Sequence, residues 1–280
     1  MMGTPTIRLG VTGLARSGKT VFITSLVANL LDRGRMPHLL AASEGRIAAA
    51  YLQPQPDDTV PRFDYEAHIG ALTGQPPSWP DSTRAVSELR VSLRVKPNGL
   101  LAGLQGPRTI HLDIIDYPGE WLLDLGLLEQ TYDDWSAATL ARLDSRPIGA
   151  EYASAVSATD GAAKLDEVQA KALAARFTDY LHAARGAGFY AFAPLPAGDA
   201  PRRSLRREMA RRFEAYKARV VRPFFRDHFA RIDRQVVLVD TLGAIHSGPA
   251  AVEDMRAAMA EILSAFRPGR NAFLTQLFRG

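Results

Sequence analysis

The 280-residue sequence points to an α/β chain, an open sheet with flanking helices interrupted by a long helical insertion. Three observations carry this. Ile7-Arg8-Leu9-Gly10-Val11 reads as a strand that runs through a glycine-bounded loop into a segment of helical spacing. Two more strand-like stretches follow, at 86–95 and 109–116. A third, Gln235 to Asp240, returns only after alanine-rich helical sequence has filled residues 121–232.

The first helix is expected from Val21 to Asp32, where apolar residues fall at 22, 23, 26, 27, 30 and 31, and Gly34 is a natural stop. Prolines 54, 56, 61, 76, 77 and 80 mark a long irregular stretch after residue 52. Residues 86–95 alternate as a half-exposed strand does, and Pro97-Asn98-Gly99 turns it. Thr109 to Asp116 is more apolar, hence more buried, and ends at Tyr117-Pro118-Gly119. Helices are expected at 135–143, 162–184 and 203–221, with a brief strand at 189–192 and a Gly/Pro/Ala linker over 186–201. Gln235 to Asp240 is the clearest buried strand, and Val252 to Phe266 an amphipathic helix. The simplest architecture is a parallel sheet of four strands, thin, with one edge uncovered and incomplete at its C-terminal side.

No cysteine occurs, so disulfides, thiolate metal sites and cysteine nucleophiles are excluded, which suits the reducing cytosol. The six histidines are scattered, with no pair at i, i+4. Residues 1–9 lack the pattern of a secretory signal, and no apolar run approaches the roughly 18 residues that span a bilayer. The net charge of +4 conceals an asymmetry: residues 202–234 hold twelve Lys/Arg against four Asp/Glu, leaving 22 basic and 26 acidic residues elsewhere. A solvated helix face explains such a segment best. Its functional alternative is an anionic membrane surface or a protein partner. Nucleic acid is the weakest option, because no groove-reading motif or stacking platform accompanies the arginines.

The chemistry is concentrated in Gly13-Leu14-Ala15-Arg16-Ser17-Gly18-Lys19-Thr20, which fits G-x-x-x-x-G-K-[ST] at every position. Glycines let main-chain N–H groups converge on phosphate oxygens without side-chain clash, and the following helix, from Val21, adds the positive end of its dipole. Lys19 would reach the β- and γ-phosphates and Thr20 would offer a hydroxyl to Mg²⁺. A coincidental glycine turn is the competing reading, and the strand before and helix after weigh against it.

Asp116-Tyr117-Pro118-Gly119-Glu120 lies at the carboxyl end of a strand, where open α/β sheets place ligands. Asp116 would hold Mg²⁺, the Gly119 N–H would meet the γ-phosphate, and Glu120 would orient or deprotonate the attacking water. Alone, this D-x-x-G is a strand ending in a Pro-Gly turn; joined to the phosphate loop, it reads as a second part of one site. Val236-Val237-Leu238-Val239-Asp240 competes for the metal, since four apolar residues and an aspartate are the usual look of a Walker-B strand. Asp116 is favoured because Gly119 adds a second role, and Asp240 is expected in a loop, capping the turn at Thr241. Before the strand at 86–95, Thr83 could supply a second hydroxyl to Mg²⁺ and Arg84 charge to the transition state, though a plain polar loop explains both.

Residues 11–20, Pro80 to Glu88, Asp116 to Leu125 and Asp233 to Asp240 together resemble the bacterial YcjX family of stress-associated P-loop GTPases. The resemblance implies a Ras-like nucleotide-binding domain with a helical insertion, GTP/GDP and Mg²⁺ as ligands, and switch regions that respond to the γ-phosphate. The location expected for the chain is cytoplasmic, or peripheral at the inner membrane through the basic segment. The resemblance carries Gly13, Ser17, Gly18, Lys19 and Thr20 over as phosphate and Mg²⁺ residues, and Asp116 and Gly119 as the switch motif. It further implies a Thr-Lys-x-Asp element that reads guanine, of which this sequence has none, so a fragment of a longer protein is expected and ATP stays open as the nucleotide. The expected organisation is 1–120 as the first part of the nucleotide-binding core, 121–231 as the helical insertion and 232–280 as a truncated second part. The function expected is Mg²⁺-dependent hydrolysis of GTP, with a nucleotide-gated interaction module or a P-loop ATPase as alternatives.

Overall fold

The computed structural model describes residues 4–13, 17–32, 36–80, 85–97, 106–144, 147–185 and 190–265. The chain divides into two compact units, a sheet unit of Met1–Gly119 with Arg231–Gly243 and a helical unit of Glu120–Ala230 with Ala244–Gly280.

In the sheet unit β1 (Thr6–Gly13) leads to α1 (Lys19–Leu31), then α2 (Leu40–Ser43), β2 (Ile47–Gln53), α3 (Tyr65–Thr73), β3 (Ser87–Val95), β4 (Arg108–Asp116) and β5 (Arg234–Leu238). They form one five-stranded open sheet in the order β2-β3-β4-β1-β5. This is a mixed α/β arrangement of Ras-like type. It corrects the parallel, four-stranded expectation twice. The only parallel ladders are those of β1, with β4 on one side and β5 on the other. Strand β3 is antiparallel to both β2 and β4; the connection from β3 to β4 is short enough to make them a hairpin, whereas β2 and β3 pair antiparallel across a long connection that contains α3. The extra strand is β2, whose run of three alanines carries no β-propensity and whose place is set by pairing with β3.

The proline-rich stretch after residue 52 is also more ordered than expected. It contains α3, capped at its start by Asp64, which accepts from Ala67 N at 3.1 Å. Just before it, Glu88 N donates to Pro61 O and Phe63 N donates to Glu88 O, both at 3.0 Å, fastening the stretch along the start of β3.

One face of the sheet is aliphatic. Val11, Leu89, Val91 and Ile114 point to Ile23, Val27 and Leu30 of α1 and to Phe63, forming a buried core. The apolar spacing of α1 is thus the spacing of its sheet-facing stripe. The opposite face carries charge: Arg90 Nε and Nη2 donate to both carboxylate oxygens of Asp113 at 2.6 and 2.7 Å, the two residues standing opposite each other in register. Glu88 and Ser92 are buried there rather than half-exposed, because β3 is internal to the sheet. Strand β5, expected to be the most buried, is an edge strand and only half-buried.

The helical unit contains α4 (Glu120–Leu125), α5 (Tyr132–Asp144), α6 (Ala150–Ser157), α7 (Glu167–Arg185), α8 (Leu205–Tyr216) and α9 (Arg222–Asp227). After β5 come α10 (Thr241–Ser247) and α11 (Pro249–Ala265). The helix expected from 162 begins later, since Asp160 and Asp166 turn the chain by accepting from Ala162 N and Val168 N. The helix expected over 203–221 starts after Ser204, whose hydroxyl accepts from Arg207 N at 3.4 Å, and passes at Lys217–Val221 through a π-helical turn into α9. Residues 190–192 are not a strand, and of the expected linker only 196–201 are exposed and irregular, while 190 and 192–195 are buried. Tyr190, Phe192, Ala193 and Leu195 sit in the core. Side chains satisfy the backbone of this irregular segment: Tyr132 Oη donates to Ala193 O at 2.8 Å, Tyr152 Oη to Pro194 O at 2.9 Å and Arg206 Nε to Pro196 O at 3.0 Å. Ser136 Oγ donates to Leu195 O at 2.6 Å and accepts from Leu195 N at 2.8 Å. No helix among the described residues is long and apolar enough to cross a membrane.

Candidate functional site

Three parallel strands end together. Val11 of β1 stands beside Asp116, the last residue of β4, and Gly13 beside Leu238, the last of β5. This is the carboxyl edge at which open sheets bind ligands.

Gly13 allows the turn out of β1. A Cβ there would strike Ser17 Oγ and come within 2.6 Å of the Leu238 carbonyl, so no larger residue fits without moving backbone. Gly18 takes the left-handed conformation, φ 83°, and caps α1 with no side chain in the way. The main-chain N–H groups at the head of α1 therefore face out of an open helix end, the position at which anions bind. Lys19 and Thr20 are the first two residues of α1, with Val21 next in the same turn. Leu14, Ala15 and Arg16 lie outside the described residues, as do Thr83 and Arg84.

The Lys19 ammonium is held at 2.8 Å by the carbonyl of Tyr117 and at 3.4 Å by Asp116 Oδ1. Its side chain is only 10% exposed and that of Asp116 1%. A lysine and an aspartate brought together from α1 and β4 confirm that the loop and the D-x-x-G stretch occupy one place. The buried hydroxyl of Ser17 has no hydrogen-bond partner among the described residues. Thr20 is buried, and its carbonyl accepts from Thr24 Oγ1 at 2.7 Å. Oxygen donors at Thr20 and Asp116 suit a hard cation such as Mg²⁺, which binds through few protein oxygens and keeps the rest for water and phosphate. Gly119 is buried after Pro118; Glu120 opens α4, and its side chain lies outside the described residues.

Asp240 is placed otherwise. It lies two residues past β5, exposed, and its Oδ1 accepts from Gly243 N at 2.8 Å, so the carboxylate caps α10.

Two neighbours of the site give no sign in the sequence. Thr12 Oγ1 donates to the Tyr117 carbonyl at 3.2 Å, and Tyr117 Oη donates to Gln235 Oε1 at 2.7 Å. Burial drives the Tyr117 phenol well above the ordinary tyrosine range, the bond to Gln235 pulling slightly the other way, so it stays protonated and donates. The acceptor of Lys19 is a backbone carbonyl, which no residue-type pattern can reveal.

A sequence model of the YcjX-like family, DUF463, matches residues 7–194 and 186–280. The chain belongs to the YcjX-like family. The Ras-like GTPase YcjX of Shewanella oneidensis is 37% identical over 316 residues, covering 97% of this chain and 65% of that protein. The Ras-like GTPase YcjX of Escherichia coli strain K12 is 37% identical over 306 residues, covering 97% of this chain and 66% of that protein. The chain thus spans slightly less than two thirds of the length of these YcjX-like relatives.

Most basic residues of the segment 202–234 in this YcjX-like chain are exposed, as a solvated face requires, and a few are used internally. Arg206 is buried, bonded to Asp133 Oδ1 at 2.7 Å and stacked over Tyr132. Arg211 and Arg212 both engage Glu208, Arg212 also reaching Glu167. Lys217 is buried, donating to Gln130 O at 2.9 Å. Arg206 turns inward, while Arg203, Arg207 and Arg211 remain exposed.

Proposed function

We propose that this chain binds the triphosphate of a nucleoside triphosphate at the head of α1 and hydrolyses it with Mg²⁺. The observation that carries this is the Lys19 ammonium held between the Asp116 carboxylate and the Tyr117 carbonyl, beside a glycine turn that tolerates no Cβ. GTP as the nucleotide comes from the relatives, named as Ras-like GTPases.

In this reading the amides of residues 13–20 and the Ser17 hydroxyl bind phosphate oxygens, and Lys19, keeping one of its three N–H donors on the Tyr117 carbonyl, gives the others to the β- and γ-phosphates. Thr20 and Asp116 are the ligands for Mg²⁺, which when bound neutralises charge between those phosphates; Thr83 is the further candidate ligand. Gly119 N–H senses the γ-phosphate, Glu120 orients the water and Arg84 offers positive charge in cis. Asp240 has no part, being engaged as a helix cap.

Calorimetric titration with GTP and with ATP, in magnesium, tests the reading. Lys19→Ala should weaken the preferred nucleotide on the order of 100-fold, within the ~2–5 kcal/mol range for removing one partner of a buried charge pair. Equal affinity in wild type and variant would discard the site.

A further inference from the structure

Asp116 is the last residue of the β4 ladder. The next residue, Tyr117, lies beyond it, and its peptide could take several directions if sheet pairing alone held it. Yet its carbonyl is the acceptor for Lys19, so its direction decides where the ammonium rests. Four hydrogen bonds fix it. Tyr117 N donates to Val11 O at 3.3 Å, and Tyr117 O accepts from Thr12 Oγ1 at 3.2 Å and from Lys19 Nζ at 2.8 Å. The phenol, fully buried, runs to the far side of β1 and donates to Gln235 Oε1 at 2.7 Å. Gln235 is fastened in turn, its Nε2 donating to Gly10 O at 3.0 Å and to Val236 O at 3.2 Å.

Gly10 belongs to the same arrangement. A Cβ at that position would strike Gln235 Oε1 and stand 2.7 Å from Ile232 Cδ1. The glycine in the first strand, which does nothing for the loop, makes room for the amide that receives the phenol. One side chain from β5 and one residue after β4 are thereby bolted across β1, directly beneath the lysine.

We infer that Tyr117 and Gln235 are positioning residues for Lys19, the phenol–amide hydrogen bond fixing the peptide whose carbonyl holds the ammonium over the glycine turn. Neither side chain touches phosphate. Lysine has a flexible four-carbon stem, and a prefixed resting point reduces the entropy lost when it engages a ligand. This rests on the site reading above for its consequence in binding, though the placement of Lys19 itself does not require a nucleotide.

Two measurements separate the two levels. The first follows acylation of the Lys19 amine by an N-hydroxysuccinimide ester in nucleotide-free protein, read by peptide mass spectrometry; the amine must leave its carbonyl to react. Tyr117→Phe should accelerate it about three- to tenfold, the range corresponding to one lost hydrogen bond. Tyr117→Phe/Gln235→Leu, which leaves no orphaned amide oxygen, should do the same and guards against misfolding of the single variant. The second measurement is GTP affinity in a double-mutant cycle with Lys19→Ala, well below the melting transition. Tyr117→Phe should weaken GTP by a similar factor when Lys19 is present and have no further effect when it is absent. A buried tyrosine that merely fills space would lower the melting temperature and weaken both backgrounds equally. Unchanged acylation in both variants, or an equal loss of affinity with and without Lys19, overturns the inference. Wild-type protein that ignores GTP and ATP overturns the site reading and leaves the acylation rates to judge the positioning role.

Discussion

In the sheet unit the groups of the candidate site gather at the carboxyl ends of the parallel strands, around Lys19, Asp116 and the Tyr117 carbonyl, with an aliphatic core on one face of the sheet and the Arg90–Asp113 pair, Glu88 and Ser92 on the other. In the helical unit the buried polar groups are dispersed through a core rich in aromatic rings, where Tyr132, Tyr152, Ser136 and Arg206 spend their hydrogen bonds on the backbone of residues 193–196. Both units satisfy buried polar atoms, but for different ends. The sheet can leave a lysine and an aspartate at its edge because Val11, Ile23, Leu89 and Ile114 hold it together without them. In the helical unit rings are interleaved with aliphatic side chains such as Leu143, Leu173, Leu181 and Met209. Trp135 and Phe177 meet edge to face at 5.8 Å and Phe192 and Phe213 at 5.4 Å, and the hydroxyls tie down a segment with no ladder of its own.

The contrast can be broken most directly at Phe213. Its ring contacts Tyr132, Trp135 and Phe192, so Phe213→Ala should cost about 3–5 kcal/mol in denaturant unfolding. Below the transition it should leave the affinity for nucleotide untouched. A parallel loss of affinity would mean that the two units do not divide labour in this way. Next in size is Ser136→Ala, which strips Leu195 of a donor and an acceptor at once; about 1–3 kcal/mol is expected for buried groups left unpaired. A change within ~0.5 kcal/mol, the ordinary range for surface substitutions, would show that water replaces the hydroxyl. The smallest effect is expected in the sheet unit, at Glu88. Burial and the neighbouring Asp113 raise its carboxyl above the ordinary value, with Arg8 and Arg90 pulling back. An acid whose folded-state value is raised lowers stability as pH climbs from its unfolded value, 4.5, through the higher folded one. Glu88→Gln should therefore raise the melting temperature near pH 7 and lose that advantage near pH 4. A variant less stable at pH 7 would mean that the charge is needed.

How much of this was legible depended on whether side chains or backbone carried the information. That Lys19 and Asp116 come together was readable, because the two motifs stand at the ends of strands that the sequence already marks. The α1 stripe was readable from its period, and so were the approximate positions of α5, α7, α8 and α11. Strand β2 was not, since Ala48-Ala49-Ala50 favours a helix if anything and only its pairing with β3 makes it a strand. Residues 190–195 misled for the opposite reason: their Gly/Pro/Ala surroundings suggest a linker, while Tyr190, Phe192 and Leu195 are the core. Arg206 and Lys217 read as surface charge because composition does not show which side chain turns inward. The role of Tyr117 was invisible, because its carbonyl is what counts and every residue has one.

The buried run at 192–195 has a practical consequence for anyone handling this molecule. Its neighbourhood looks on paper like the natural place to graft an epitope, a fluorescent reporter or a protease-cleavage cassette, or to open the chain for circular permutation. Such sites succeed where the main chain is solvated. Here the carbonyls of Ala193, Pro194, Leu195 and Pro196 are each gripped by a different side chain. An added residue would move all four out of reach together.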